Sequence, residues 1–142
     1  MGEDVADDAV ASVEGVDGAA YQPGVCNIGP AEIARRERTG HVGLAATAVL
    51  FAGLAAIKAP RAARFAVALP AAAAASGYLQ ARFHFCVGFG SRGIYNFGEV
   101  GPTLEVADET ARAADRAKAI QLGLASAAIG GAVGIGAVLA AR

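Results

Sequence analysis

Two cysteines and two histidines are the residues of this 142-residue chain whose types suit chemistry beyond packing. Cys26, His41, His84 and Cys86 form a Cys2His2 set, the ligand complement of tetrahedral zinc. The chain lacks the close Cys-x2-4-Cys and His-x3-5-His pairs of zinc folds, so such a site needs distant segments to converge. His84 and Cys86 stand two apart, which places them on one face only where the backbone is extended. Cys26 and Cys86 alone offer two other chemistries. A disulfide between them would close a loop of about 60 residues on an oxidising side of a membrane. A thiolate at Cys86, with Arg82 and Arg92 close in sequence to lower its pKa, would support redox or sulfur chemistry. The fourth reading is a pair of half-buried structural thiols. The residues alone leave all four open.

The elements that must position these groups are apolar. Residues 42–57, 65–79 and 119–141 contain no charged side chain. The third stretch is long enough to cross a bilayer unaided, since a span takes about 20 apolar residues at about 1.5 Å each. The first two are shorter, and the Lys58, Arg61 and Arg64 side chains between them can snorkel to the interface. Residues 119–141 carry no polar stripe at period 3.6, which a soluble bundle would require. The expected fold is therefore an all-α integral membrane protein with three transmembrane helices, near 30–59, 61–85 and 103–141. Pro30 suits the first position of a helix. Residues 30–40 either lie along the membrane surface or extend the first span outward. Pro60 ends the first helix, and Pro70 is expected to kink the second. Thr103 or Asp108 would cap the third, whose charged start, residues 103–118, runs on into the span and extends it above the membrane.

Residues 1–25 carry Glu3, Asp4, Asp7, Asp8, Glu14 and Asp17 with no Lys or Arg. This reads as an acidic disordered tail rather than a signal peptide, leaving 26–142 as one membrane domain. No basic patch with interleaved aromatics suggests nucleic acid. Eight Lys and Arg flank one side of the spans and four the other, which puts the N-terminus in the cytoplasm of a multi-pass protein in the inner, or cytoplasmic, membrane.

Six aromatics, Tyr78, Phe83, Phe85, Phe89, Tyr95 and Phe97, crowd the end of the second helix. They read as a headgroup-level belt, with a partner or ligand dock as the alternative. Gly88, Gly90 and Gly93 match G-x-G-x-x-G, but no strand and no βαβ unit surround them, so they read as chain reversal. On the third helix Ser126, Gly130 and Gly134 form one small-residue row and Gly123, Ala127 and Gly131 another. Such rows allow close helix contact, within the chain or with a homo-oligomer or larger membrane complex. No charged residue lies within the apolar stretches, which argues against an ion path. No motif-placed nucleophile argues for an enzyme. The expected function is an accessory or scaffold subunit acting through helix contacts. The alternative is a thiol- or metal-dependent sulfur or redox module using Cys26 and Cys86; no cofactor is expected, except zinc should the metal form of that alternative hold.

Cys26-Asn27-Ile28-Gly29, a basic run, two short spans and a Cys after the second resemble the small YgaP-type prokaryotic inner-membrane domain. The resemblance covers residues 26–97. It departs where Pro30-Ala31-Glu32 replaces an expected Asp-Arg and where Cys86 is not followed by Pro-Leu-Tyr. It has no counterpart for residues 98–142. Because some members are fused to a rhodanese, the resemblance implies a link to sulfur handling, with Cys86 as the functional residue.

Overall fold

Pro30 opens the first helix as expected, and the computed structural model describes residues 21–140. Helix α1 runs Pro30–Ala56 without interruption, so residues 30–40 extend the first apolar helix rather than forming a separate one. It stops three residues short of the expected end, where Lys58 takes a positive φ of 52° and Ala59 N–H returns to Leu54 C=O. A 3-10 helix, Arg61–Val67, follows, and helix α2 begins only at Ala68 and ends at Arg82. Pro70 therefore stands in the first α turn, where a missing N–H costs least, rather than in a helix interior. The expected second helix thus changes type midway and closes three residues early, where His84 reverses the chain with φ 51°.

Helix α3, Val87–Arg92, replaces the expected irregular glycine stretch, and Gly93 ends it in the left-handed conformation at φ 69°. Strands β1, Ile94–Tyr95, and β2, Leu104–Glu105, then pair antiparallel, with Ile94 opposite Glu105 and Tyr95 opposite Leu104. Among the described residues the fold is thus mainly helical with a small β1–β2 ladder, not wholly α. Helix α4 runs Glu109–Leu139. Asp108 caps it by accepting the Ala111 N–H at 2.8 Å, so the helix starts six residues after the expected 103. Thr103 is not the cap, because the chain beside it is committed to the ladder. Among the described residues three helices are long and apolar enough to cross a membrane: Pro30–Ala56, Arg61–Arg82 and Glu109–Leu139.

The described residues fall into two units, 21–35 with 82–120 and 36–81 with 121–140. The first holds every described acidic side chain but Glu37, and its core is Ile28, Cys86 and Phe89 with Ile33 and Ile94 against them. Phe85, Phe89 and Phe97 are all buried here, at 0%, 8% and 7% exposure. Half of the expected interfacial belt is therefore core. The second unit is built on small residues. A Cβ added at Gly77 would sit 2.7 Å from Arg36 C=O, and one at Gly43 2.6 Å from Ala74 N, so α1 and α2 touch backbone to backbone. A Cβ at Gly130 would meet Ala72 and Ala68, and one at Gly134 would meet Ala68 and Phe65. The Ser126, Gly130 and Gly134 row is thereby used inside the chain. Ser126 is buried and its hydroxyl returns to Leu122 C=O. The Gly123, Ala127 and Gly131 row is not used so: a Cβ at Gly123 or Gly131 meets nothing within 4 Å.

Candidate functional site

Cys26 and Cys86 belong to the same unit, and both are buried free thiols. What joins their segments is the side chain between them in sequence logic, Asn27, which is wholly buried. Its Oδ1 accepts the Cys86 N–H at 2.6 Å and its Nδ2 donates to the Cys86 C=O at 3.1 Å. The backbone N–H groups of Asn27 and Ile28 donate to His84 C=O at 3.1 and 3.4 Å. On the other side Asn96 N–H donates to Asn27 C=O, and Gly29 N–H donates to Asn96 C=O. The 27–29 segment is thus stitched on both edges, to the turn after α2 and to the chain after β1. A buried amide bonded at both its oxygen and its nitrogen is the arrangement that justifies a buried Asn.

Each residue of the Asn27-Ile28-Gly29 motif then has a structural task. Asn27 replaces a ladder partner for Cys86. Ile28, at 0% exposure, centres the core. Gly29 lies against Phe97, where a Cβ would come within 2.7 Å of the Phe97 C=O.

The Cys26 thiol is not disposed as a nucleophile. Cys26 Sγ lies 3.8 Å from Ile28 C=O. Burial pushes the Cys26 thiol above its ordinary value, and the carbonyl contact opposes this only in part. A thiol so held stays protonated at neutral pH and is a weak nucleophile. Arg92 Nε donates to Gly88 C=O at 3.0 Å and its guanidinium lies over the Phe89 ring, yet it stays on the Cys86 side, since a Cβ at Gly88 would lie 3.6 Å from Arg92 Nη2 and 3.8 Å from Cys86 Sγ.

The histidines go elsewhere. His41 belongs to the second unit, where its Nδ1 lies 2.7 Å from the Tyr78 hydroxyl and its ring meets Tyr78 edge-on. His84 is exposed and serves the chain through its positive φ and its carbonyl. Among the described residues no three of His, Cys, Asp or Glu gather into a group able to hold a metal ion. The expected four-ligand zinc set is not brought together.

A second polar centre was not foreseen. Asp115, on the charged part of α4, is wholly buried. It accepts the Tyr21 hydroxyl at 2.8 Å and the Gly24 N–H at 2.7 Å. Tyr21 stacks on Tyr95 with ring centroids 4.8 Å apart. Burial, then the Asp115 bond and charge, push the Tyr21 phenol well above its ordinary range, so it donates at any physiological pH. Residues 21–25, read from sequence as the end of the acidic tail, form a turn held to α4 by these bonds. Residues 1–20, the rest of that tail, lie outside the described residues. One signal for Asp115 was present in the sequence: it stands four after Ala111 and four before Ala119, on the buried row of α4. An acid on an apolar row marks a buried partner.

The chain has no match among protein-family models, curated proteins or solved structures.

Proposed function

We propose that this chain is a multi-pass protein of the cytoplasmic membrane that works as a small accessory or scaffold subunit, joining a larger membrane assembly or its own copies through helix contacts. The observation that carries this reading is the second small row of α4. Gly123 and Gly131 face open space while the parallel row is consumed within the chain. A close-approach surface with no internal partner suits a second helix. The membrane itself is supported by three helices of mean hydropathy 1.5, 1.2 and 1.9. It is also supported by apolar side chains left largely exposed, among them Val49, Leu69 and Leu139 at 73%, 78% and 71%. Surface of that kind is stable in lipid and costly in water. The excess of Lys and Arg beside 26–38 and 82–118 supports a cytoplasmic N-terminus. The thiol or zinc reading, with the sulfur link that the YgaP-type resemblance implies, draws less support from two buried thiols of which Cys26 is held protonated.

Ala127→Cys in a Cys26→Ala/Cys86→Ala background tests the contact by oxidative crosslinking in native membranes. The expected product is a dimer or a heavier adduct, with none from Ala52→Cys on α1. Monomer alone at both positions would sink the proposal. Val100→Cys in the same background, reacted with a membrane-impermeant maleimide, tests orientation: labelling is expected in inverted vesicles and not in intact cells.

A further inference from the structure

The second unit contains a groove of about 340 Å³ between α1 and the end of α4, within the size range of ligand sites. Leu44, Thr47 and Phe51 line one wall, Gly136 and Ala137 the other, and Val67 the floor. Thr47 is the one polar side chain there, and its hydroxyl is turned back to Gly43 C=O at 2.7 Å. The groove therefore offers hydrocarbon contacts and no hydrogen-bond donor. Gly136 keeps it open, since a Cβ there meets nothing within 4 Å.

The floor residue brings charge with it. Val67 ends the 3-10 helix Arg61–Val67, in which residues three apart eclipse. Arg64 and Arg61 accordingly lie on the same edge as Val67, one and two turns above it, at about 6 Å per turn. Arg64 uses one N–H on Ala59 C=O, at 3.4 Å. Lys58 stands in the same loop. No acid faces this cluster from its own unit: residues 38–98 and 121–142 contain none. The nearest in sequence, Glu37, is roughly 28 Å away along the α1 axis from Ala56. An apolar slot beside a cationic edge that no acid of its own unit approaches suits one kind of molecule.

We infer that this groove is a binding site for an anionic glycerophospholipid, one acyl chain lying against Val67 and Phe51 and the phosphate meeting Arg64 and Arg61. The inference rests on the membrane placement proposed above but not on the scaffold role, since it uses neither the Gly123 row nor any partner protein.

The test is native mass spectrometry of the full chain, purified in detergent and offered dioleoyl phosphatidylglycerol or dioleoyl phosphatidylcholine. The wild type retains the anionic lipid about tenfold over the zwitterionic one, as expected of charge-assisted contacts to phosphate. Arg61→Gln/Arg64→Gln brings that ratio close to one without lowering phosphatidylcholine retention. Gly136→Leu fills the groove and lowers retention of both lipids. Ala140→Leu, on the same wall, serves if Gly136→Leu fails to fold by circular dichroism. Equal retention of the two lipids by the wild type, or a ratio unchanged by the double variant, overturns the site as mere annular lipid. A lipid-free dimer blocked by Gly136→Leu overturns it in favour of a second copy.

Discussion

Asn27 and Cys86 are paired through two hydrogen bonds, at 2.6 and 3.1 Å, in which a side-chain amide stands in for a neighbouring strand. The pair joins residues 59 apart, and the second of them belongs to the core of its unit. A polar group with no exposure and both ends bonded is expensive to disturb. Asn27→Ala removes the buried acceptor of the Cys86 N–H, while the Cys86 C=O keeps the Gly90 N–H at 2.9 Å, and is expected to lower stability by about 1–3 kcal/mol. Asn27→Asp should be at least as damaging, because a carboxylate cannot donate to the Cys86 carbonyl. Unfolding by SDS titration in mixed micelles measures both. A loss below about 0.5 kcal/mol, the level of an ordinary surface change, would refute the pairing.

The Tyr21–Asp115 bond makes stability depend on alkaline pH. The folded chain holds the phenol protonated, above its ordinary value near 10. A group raised in this way contributes fully below its unfolded pKa and loses that contribution as pH rises past it. Stability is therefore expected to be flat through neutrality on this account and to fall above about pH 10. Cys26 is also raised, from an ordinary value of 9.0, so the measurement belongs in a Cys26→Ala background. Tyr21→Phe should lower stability at neutral pH by about 1–2 kcal/mol and remove most of the alkaline fall. An identical pH profile for the variant would show that the phenol is not the group responsible.

Glycines on the two sides of the helices should respond oppositely. Gly77→Ala forces a methyl against Arg36 C=O and the Gly40 backbone, neither of which can yield, and should cost about 1–3 kcal/mol. Gly123→Ala adds a methyl in open space and should be neutral or stabilising by up to about 1 kcal/mol. The same detergent unfolding assay ranks them, and equal effects would contradict the α1–α2 contact.

His84 offers a direct test of its own role. Its φ of 51° strains any residue with a Cβ, at about 1–2 kcal/mol, and glycine relieves that strain. His84→Gly is expected to leave stability unchanged or raise it, with no change in zinc measured by plasma emission. A fall in bound zinc together with stability would restore His84 as a ligand.

The helical frame was legible because α-helices advertise themselves locally. The apolar runs, Pro30 at a helix start, Asp108 as a cap and the Ser126, Gly130 and Gly134 row all depend on neighbours within a few turns. The first unit was not legible, because its contacts are long in sequence. Nothing near residue 27 announces a partner at 86, and nothing near 21 announces one at 115. The β1–β2 ladder is too short to show alternation, so residues 103–106 passed for helix. The aromatics misled for a related reason: clustering reveals that Phe85, Phe89 and Phe97 act together, not whether lipid or protein surrounds them. The four Cys and His residues were singled out by type, and the structure uses Asn27 and Asp115 where type would have pointed to thiol and imidazole.

Helix α4 keeps one buried row through its whole length: Ala111, Asp115, Ala119, Leu122, Ser126, Gly130, Gly134 and Ala137. The steps are threes and fours without a break. Each residue turns a helix by about 100°, so one inserted or deleted between Ser126 and Gly134 would leave either Ser126 or Gly134 facing away from the wall it packs on. The helix is therefore intolerant of length change in steps of one, while Gly101, whose Cβ position touches nothing, sits in a loop free to grow. Insertions and deletions in descendants of this chain should accumulate around Gly101 and be excluded from the centre of α4.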